Sequence, residues 1–393
     1  MIYLDHNATT PPAPAVAQAM LSALSGAWAN PSSQHAPGEE ARRALAAARA
    51  TAARALGCKP AELIFTSGAT EAGHLAVLGL HAAAGGRGRL VFGAVEHAGQ
   101  LRLAHALAAR GIAVDFIAVH ADGTLDLDSA ARLIGPGVAL VSLMAANNET
   151  GVLMPVAAVR ELARAAGARM HVDATQLVGK LPFDFTALGV DAVSLSAHKL
   201  RGPKGAGALL LRQGCAIVPQ LFGSQERHRR GGTENLPAIA GFAAALARLG
   251  DAQHDVAREA ARQAALRDML EQGLRRALPA VHVFSAQAPR LPGTSYLRFG
   301  RLPAEVVLQR LGQLGVAASS GAACSSGGSE LSHVLAAMGV PRDEALAAVR
   351  LSLGETTTAQ NIGHVVAGLP PLLAPLLEDD MPAHRTHDAT LEP

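Results

Sequence analysis

Cysteine is scarce in this chain. Three thiols in 393 residues, Cys58, Cys215 and Cys324, are too few and too odd in number for a disulfide framework. Aromatic residues make up only 3% of a chain that is 49% hydrophobic, so any core must be built from Ala, Leu and Val. An excess of one charge is also missing. Lys and Arg number 34 against 32 Asp and Glu, and a formal net charge of +2 recommends neither nucleic acid nor an anionic membrane as partner. No apolar run reaches the roughly 20 residues that span a bilayer. The chain opens at once on Ile2-Tyr3-Leu4-Asp5, leaving no room for a signal peptide. The 16 histidines are scattered with no His-x-x-x-His pair of ligand character, so no metal site is expected. These absences predict a soluble cytoplasmic protein, long enough for two domains with a real core.

The first two thirds alternate strand and helix patterns. Apolar runs at Leu63-Phe65, Leu90-Phe92, Ala113-Ile117, Val138-Met144, Met170-Val172, Ala192-Leu195 and Ala206-Leu211 read as strands. Gly38 to Leu56, Thr70-Ala84, Ala98-Ala109, Ser129-Ile134 and Val156-Ala166 have helical spacing. Alternation at this interval means βαβ units and a mostly parallel sheet. Asn235 to Leu274 reads as long helix broken near Gly250. A smaller α+β part follows, with strands at Thr294-Phe299, Ala317-Ser319 and Val349-Leu353 and helices at Pro303-Leu314, Ser332-Met338 and Thr358-Leu369. The polar tail from Glu378 to Pro393 is expected to be disordered.

Four strand ends carry chemistry. After Asp191-Ala192-Val193-Ser194-Leu195 comes Ser196-Ala197-His198-Lys199, then a Gly202-Pro203-Lys204-Gly205 turn. A lysine at the end of a buried strand is costly unless used, and desolvation makes an amine the nucleophile that a Schiff base needs. Upstream, Ser67-Gly68-Ala69-Thr70 is a small-residue turn opening a helix, where N–H groups and a hydroxyl can hold a phosphate. Asp173 ends the strand before Ala174-Thr175-Gln176, a place where ligands bind in open α/β sheets. There its carboxylate can pair with a pyridinium nitrogen, and Gln176 can reach a ring hydroxyl. His97 opens the helix after Leu90-Val91-Phe92, where an imidazole can stack on a flat ring and move protons. Each has an ordinary alternative: a solvated turn lysine, helix caps at Thr70 and Asp173, a capping His97. Their order along the chain, each at a strand end, is that of a pyridoxal 5'-phosphate (PLP) site.

At this point the chain resembles the cysteine desulfurases, fold-type I PLP enzymes of the class V aminotransferase superfamily. The resemblance runs from Tyr3 to about Leu373. It rests on nine blocks in order: Tyr3-Leu4-Asp5-His6-Asn7-Ala8-Thr9-Thr10, Asn30-Pro31-Ser32-Ser33-Gln34-His35, Thr66-Ser67-Gly68-Ala69-Thr70-Glu71, Asn147-Asn148-Glu149-Thr150-Gly151, His171-Val172-Asp173-Ala174-Thr175-Gln176, Ser196-Ala197-His198-Lys199, Gly231-Gly232-Thr233-Glu234-Asn235, Ser319-Ser320-Gly321-Ala322-Ala323-Cys324 and Val349-Arg350-Leu351-Ser352-Leu353-Gly354. The fold it implies is α/β: a large domain (13–250) with a mostly parallel seven-stranded sheet flanked by helices, and a smaller α+β domain (1–12 and 251–377), before a tail (378–393).

The same resemblance implies roles. Lys199 would hold PLP, Asp173 its ring nitrogen, Gln176 its hydroxyl, and His97 would stack on the ring. Thr70, Ser196 and His198 would hold the phosphate, with Thr233 reaching it from the neighbouring subunit of a homodimer, and Ala69 and Asn148 would also belong to the cofactor site. Arg350, with Asn148 beside it, would grip the substrate carboxylate, a task suited to a planar guanidinium fork. Cys324 lies in a run of Ser, Gly and Ala from Ser319 to Ser329 that cannot pack a core, so its thiol is expected in a mobile, accessible loop. The long loop is the pattern of the nitrogen-fixation and iron–sulfur group (group I). The implied activity turns L-cysteine into L-alanine with a persulfide on Cys324, which passes to a sulfur-acceptor protein. Alternatives on the same fold are a selenocysteine lyase, a cysteine sulfinate desulfinase or an aminotransferase-like enzyme. A third reading is an idle scaffold, against which the complete set of Lys199, Asp173, His97 and Arg350 argues. Departures from the family pattern stand at Ala72-Gly73-His74 and Leu200-Arg201, close to the site in sequence. Arg227-His228-Arg229-Arg230 is the densest basic run, with Arg229 or Arg230 expected near the pocket. Cys58 and Cys215 read as structural or incidental.

Overall fold

The computed structural model describes residues 1–250, 255–321 and 331–379. β1 (Ile2–Tyr3) is followed by β2 (Leu63–Thr66), β3 (Arg89–Gly93), β4 (Val114–Ile117), β5 (Val138–Met144), β6 (Arg169–Asp173), β7 (Ala192–Ser196) and β8 (Gly207–Leu211). The last seven form one sheet in the order β2-β8-β7-β6-β5-β3-β4. Only β8 runs against the rest. The cause is the connection that precedes it. A single 3-10 turn, Ala197–Lys199, and the Gly-Pro-Lys-Gly turn leave no length for a helical crossover, so the chain must fold back as a hairpin.

Buried strands in such a sheet read as apolar runs because both faces are covered. The two-residue period divides them. Val91, Val141, Leu143, Val193, Leu195, Ala208 and Leu210 enter one hydrophobic cluster. Leu90, Phe92, Leu140, Ala192, Leu209 and Leu211 enter another on the opposite face. One polar row interrupts the second face. His171 on β6 bonds Ser142 on β5 (2.9 Å) and Ser194 on β7 (3.0 Å), so three buried polar groups satisfy one another.

The smaller sheet is antiparallel, in the order β12-β13-β10-β9, with β9 (Val281–Val283), β10 (Thr294–Phe299), β12 (Ser319–Ser320) and β13 (Val349–Ser352). β11 (Val316–Ala317) pairs in parallel with β1, which brings Ile2 and Tyr3 beside Val316 and Ala317. A separate cluster around Leu270, Leu297, Phe299, Leu351 and Leu369 fills this part of the molecule.

Several elements differ from the sequence reading. The helix Pro14–Gly26, strand β9 and the short helix Arg342–Leu346 were not anticipated. The long helix after Asn235 is Leu236–Ala247, a 3-10 turn Arg248–Gly250, and Val256–Ala277. The expected loop beginning at Ser319 starts later, because Ser319 and Ser320 pair with Arg350 and Val349. The last helix continues past Leu369 to Asp379, through Pro370, Pro371 and Pro375. Proline removes backbone bonds there, but Ile362, Val365, Leu369 and Leu373 are all buried in the core, and that packing outweighs the loss. The expected disordered tail beyond Asp379 lies outside the described residues.

One close approach joins β8 to the turn after β2. A Cβ on Gly207 would lie 2.6 Å from Gly68 Cα and 2.7 Å from Leu195 O, all backbone atoms that cannot swing aside. Gly207→Ala is expected to destabilise the protein by about 1–3 kcal/mol, the range for overpacking. A thermal melt checks this, and an unchanged midpoint would refute it.

Candidate active site

The carboxyl ends of β5, β6 and β7 and the turn after β2 surround a cavity of about 650 Å³. Ala69, Thr70, His97, Asn148, Asp173, Gln176, Ser196, His198 and Lys199 all line it. The sheet register explains the convergence. Met144, Asp173 and Ser194 are consecutive partners across β5, β6 and β7, so the residues just after them emerge together at one edge.

The helix Ala69–Ala83 has Gly68 at its N-cap and no side-chain cap, so its first N–H groups remain for a ligand. Ser196 Oγ lies 3.6 Å from where a Cβ on Gly68 would be, which places that hydroxyl against the same turn. His198 contacts Thr9 Oγ1 at 3.1 Å, and burial lowers its pKa to about 4, so it is a neutral donor or acceptor here. Asp173 Oδ1 accepts the Thr175 N–H at 2.9 Å, and its Oδ2 has no hydrogen-bond partner among the described residues. His97 caps the helix Ala98–Ala109, its Nδ1 accepting the Gly99 N–H at 3.2 Å. That bond assigns the ring proton to Nε2. Burial lowers the His97 pKa, and Asp173 pulls the other way.

Lys199 sits on the 3-10 turn after β7. Its Nζ donates to the carbonyls of Asn7 (2.6 Å) and Ala8 (2.7 Å). The segment 5–13 thus straps across the lysine. Thr10 Oγ1 bonds the His198 carbonyl and accepts the Arg201 N–H, and Ala13 N–H reaches the Arg201 carbonyl.

Other expected residues stand elsewhere. Arg350 is 1% exposed and is not in the cavity wall. It is held behind Asn148, donating to that residue's carbonyl, to Asp5 Oδ1 and to Ser319 Oγ, each at 2.9 Å. Thr233 lines a smaller cavity of about 160 Å³, which shares Ser67 and Gly205 with the main one. Arg230 pairs with Glu71, a lining residue, at 2.7 Å, whereas Arg229 turns away to the Ala61 carbonyl. His74 contacts the Gly99 carbonyl and Arg201 pairs with Glu355; neither lines the cavity. Cys324 lies outside the described residues. Burial pushes Cys58 up to about 12 and Cys215 up to about 11, so neither is a reactive thiolate at neutral pH.

Sequence reasoning passed over four groups. Asn7 lines the cavity and was quoted in a motif without a role. Lys180, four residues after Gln176, donates to Gln176 Oε1 and to Asn7 Oδ1. Gln100 lines the cavity one helical turn after His97, with both amide atoms buried and unpartnered. A Cβ on Gly73 would lie 2.8 Å from its Nε2, so the absent side chain at Gly73 makes room for Gln100. Glu96, the residue before His97, is fully buried and accepts the Met144 N–H at 2.6 Å, and burial raises its pKa well above its ordinary value. An Asn in the N-terminal block and a Gly-Lys step after Gln176 were available signals for the first two. Nothing local marks Gln100 or Glu96.

Comparison with known proteins gives the family. The model of the class-V aminotransferase family matches residues 2–365. The cysteine desulfurase of Cereibacter sphaeroides is 45% identical over 377 residues, 95% of each chain. A solved structure described as a NifS-like protein has a TM-score of 0.88 at 32% identity, covering 95% of this chain and 99% of that one. Another, SspA in complex with cysteine, has a TM-score of 0.78 at 30% identity, covering 90% and 99%. Fold and matched length define the class as that of the class-V aminotransferases. Within it, the chain belongs to the cysteine desulfurase family.

The polar row beneath the site sets an acid limit. Burial lowers the His171 pKa to about 4, against about 6.5 in an unfolded chain. The native state therefore keeps this imidazole neutral while the unfolded state takes up the proton first. Stability from this group is complete above about pH 6.5 and is lost as pH falls toward 4, by roughly 3 kcal/mol. Urea unfolding at pH 7 and pH 4.5 measures it, and equal stabilities would contradict the assignment.

Proposed function

We propose that the protein is a PLP-dependent cysteine desulfurase that converts L-cysteine to L-alanine and leaves the sulfur on Cys324. The observation that carries this reading is the convergence of Lys199, Asp173, His97 and the Gly68–Thr70 turn on one cavity. The lining suits PLP group by group. Uncapped helix N–H groups and the Ser196 hydroxyl suit a phosphate. The free oxygen of Asp173 suits a protonated ring nitrogen, and Lys199 presents the amine that an aldehyde requires. Bound there, PLP supplies an electron sink for the carbon atoms of an amino acid.

The remaining work falls to the chain. Asp173 keeps the ring nitrogen protonated by supplying a fixed negative charge. Gln176 addresses the ring edge, and His97 covers one face and holds a proton at Nε2. Arg350 and Asn148 set the end of the site for the substrate carboxylate. The Cys324 thiolate attacks the sulfur of the bound cysteine. An S–S bond forms, the Cβ–S bond breaks with its electron pair left on carbon, and that carbon takes up a proton. L-cysteine and a thiol enter; L-alanine and a persulfide result, with no external oxidant. We place the enzyme in the cytoplasm as a homodimer, in the domain arrangement given above, with Thr233 completing the neighbouring subunit's phosphate site. Its persulfide passes to an acceptor protein in iron–sulfur or thio-cofactor synthesis.

The test is to incubate the PLP-loaded protein with L-cysteine and to assay alanine and cyanide-releasable sulfur together. Equimolar products are expected. Cys324→Ala should abolish both, and Lys199→Ala should leave a protein that does not become yellow with PLP. Full alanine formation by Cys324→Ala would overturn the reading.

A further inference from the structure

We propose that Lys180 is a positioning residue for the amine of Lys199, acting through Asn7 and Gln176; this rests on the reading of Lys199 as the PLP lysine.

The local chain explains how a lysine comes to be there. Gly179 has φ +84°, and a Cβ on it would lie 2.9 Å from Leu200 Cβ. Only a residue without a side chain lets this turn close against the neighbour of Lys199, and the next residue then points inward. Lys180 Nζ donates to Asn7 Oδ1 at 2.6 Å and to Gln176 Oε1. Both acceptors are neutral amides, and among the described residues Lys180 forms no ion pair.

An ammonium or amine of lysine offers donors to these oxygens, so it decides which way each amide faces. With Gln176 Oε1 on Lys180, Nε2 is directed to the Asn7 carbonyl, 3.0 Å away. With Asn7 Oδ1 on Lys180, Nδ2 is directed to the Asn148 carbonyl (3.2 Å) and Thr294 Oγ1 (3.0 Å). The Asn7 carbonyl then accepts from both Gln176 Nε2 and Lys199 Nζ. One side chain thereby fixes two amides, the strap and the carbonyl that holds the second lysine.

Charge adds to geometry. Burial moves the Lys180 pKa well below its ordinary value, and Lys199 and Arg350 push it the same way. His6 faces Lys180 and Arg201. On the other side, Lys199 faces His97 and His198, His198 also faces Lys204, and Asp173 faces His97. Asp5 also faces His6, and among the described residues Lys180, Lys199, Lys204, Arg201 and Arg350 outnumber Asp5 and Asp173 in this cluster. The two amines disfavour each other's charge and so compete for a proton. Removing Lys180 removes that competition and loosens the strap.

The experiment follows attachment of PLP to the full-length chain, freed of cofactor, by absorbance across pH. For Lys180→Met, attachment at neutral pH should slow about tenfold, and the midpoint of its pH profile should move up by about one unit. Lys180→Arg, which keeps donors toward both amide oxygens, should preserve the attachment rate. A purely packing role would lower the melting temperature of Lys180→Met without moving the midpoint, and that result overturns the proposal. Should Lys180→Met not fold, Asn7→Ala replaces it: the relay predicts slowed attachment, and an unchanged rate refutes it. These readouts do not depend on sulfur chemistry. A wild-type chain that binds PLP but makes no alanine sinks the desulfurase reading alone; one that never binds PLP sinks both.

Discussion

The amine of Lys199, held between the carbonyls of Asn7 and Ala8, is the contact on which the rest of the arrangement depends. The lysine belongs to the large sheet, on a hairpin too short for a crossover. The carbonyls belong to a strap whose ends are fixed elsewhere: β1 on β11, and Asp5 bridged to Ser352 on β13. A polar contact at one nitrogen thus joins the carboxyl edge of one sheet to the edge of another. The half-buried amine finds its partners in the strap, which closes over it. Closing it carries Asn7, Ala8 and Thr9 into the cavity wall.

Around that contact the interior tolerates polar groups by neutralising or pairing them. His171, His198 and His6 are all held near pKa 4, which keeps their rings uncharged at neutral pH. Glu96 is driven toward its protonated form. Glu149, also raised by burial, receives the hydroxyls of Tyr296 and Ser332. Asp173 differs from these carboxyls in lining the cavity, with its Oδ1 on the Thr175 N–H. A carboxylate kept available among neutralised neighbours is what a cationic ring nitrogen would select.

Much of this was legible because the chemistry sits at strand ends. Apolar runs located β2 to β8 to within a residue or two, and the residues following each run were the candidates. Phosphate-type turn, imidazole, carboxylate and lysine then fell on one edge because neighbouring strands end in register. What the sequence could not show was pairing across distance. Nothing near Lys180 reveals that it meets Asn7, 173 positions away. The helix Pro14–Gly26 carries no strong apolar face of its own and forms against Leu236–Ala247, a partner far along the chain. The proline-bearing end of the last helix is fixed by its buried face, not by local propensity.

Arg350 shows how residue identity can be legible while its geometry is not. The guanidinium suits a carboxylate, and the structure gives it one already, in Asp5. Its Nη1 is engaged by the Asn148 carbonyl, its Nη2 by Asp5 and Ser319, and its Nε is buried without a partner. A substrate carboxylate therefore does not meet a waiting fork. On the proposed reading, a substrate carboxylate would take the place of Asp5 on Nη2, trading one ion pair for another, or would use the unsatisfied Nε with the Asp5 pair left intact. Asn148 is the residue best placed to link the two events. Its carbonyl accepts from both Arg350 and Asn7, and the residue lines the cavity. Movement of Arg350 toward a ligand would then be felt by Asn7, and through Asn7 by Lys199. On the proposed reading, carboxylate recognition at Arg350 and the amine of Lys199 would be parts of one hydrogen-bonded unit.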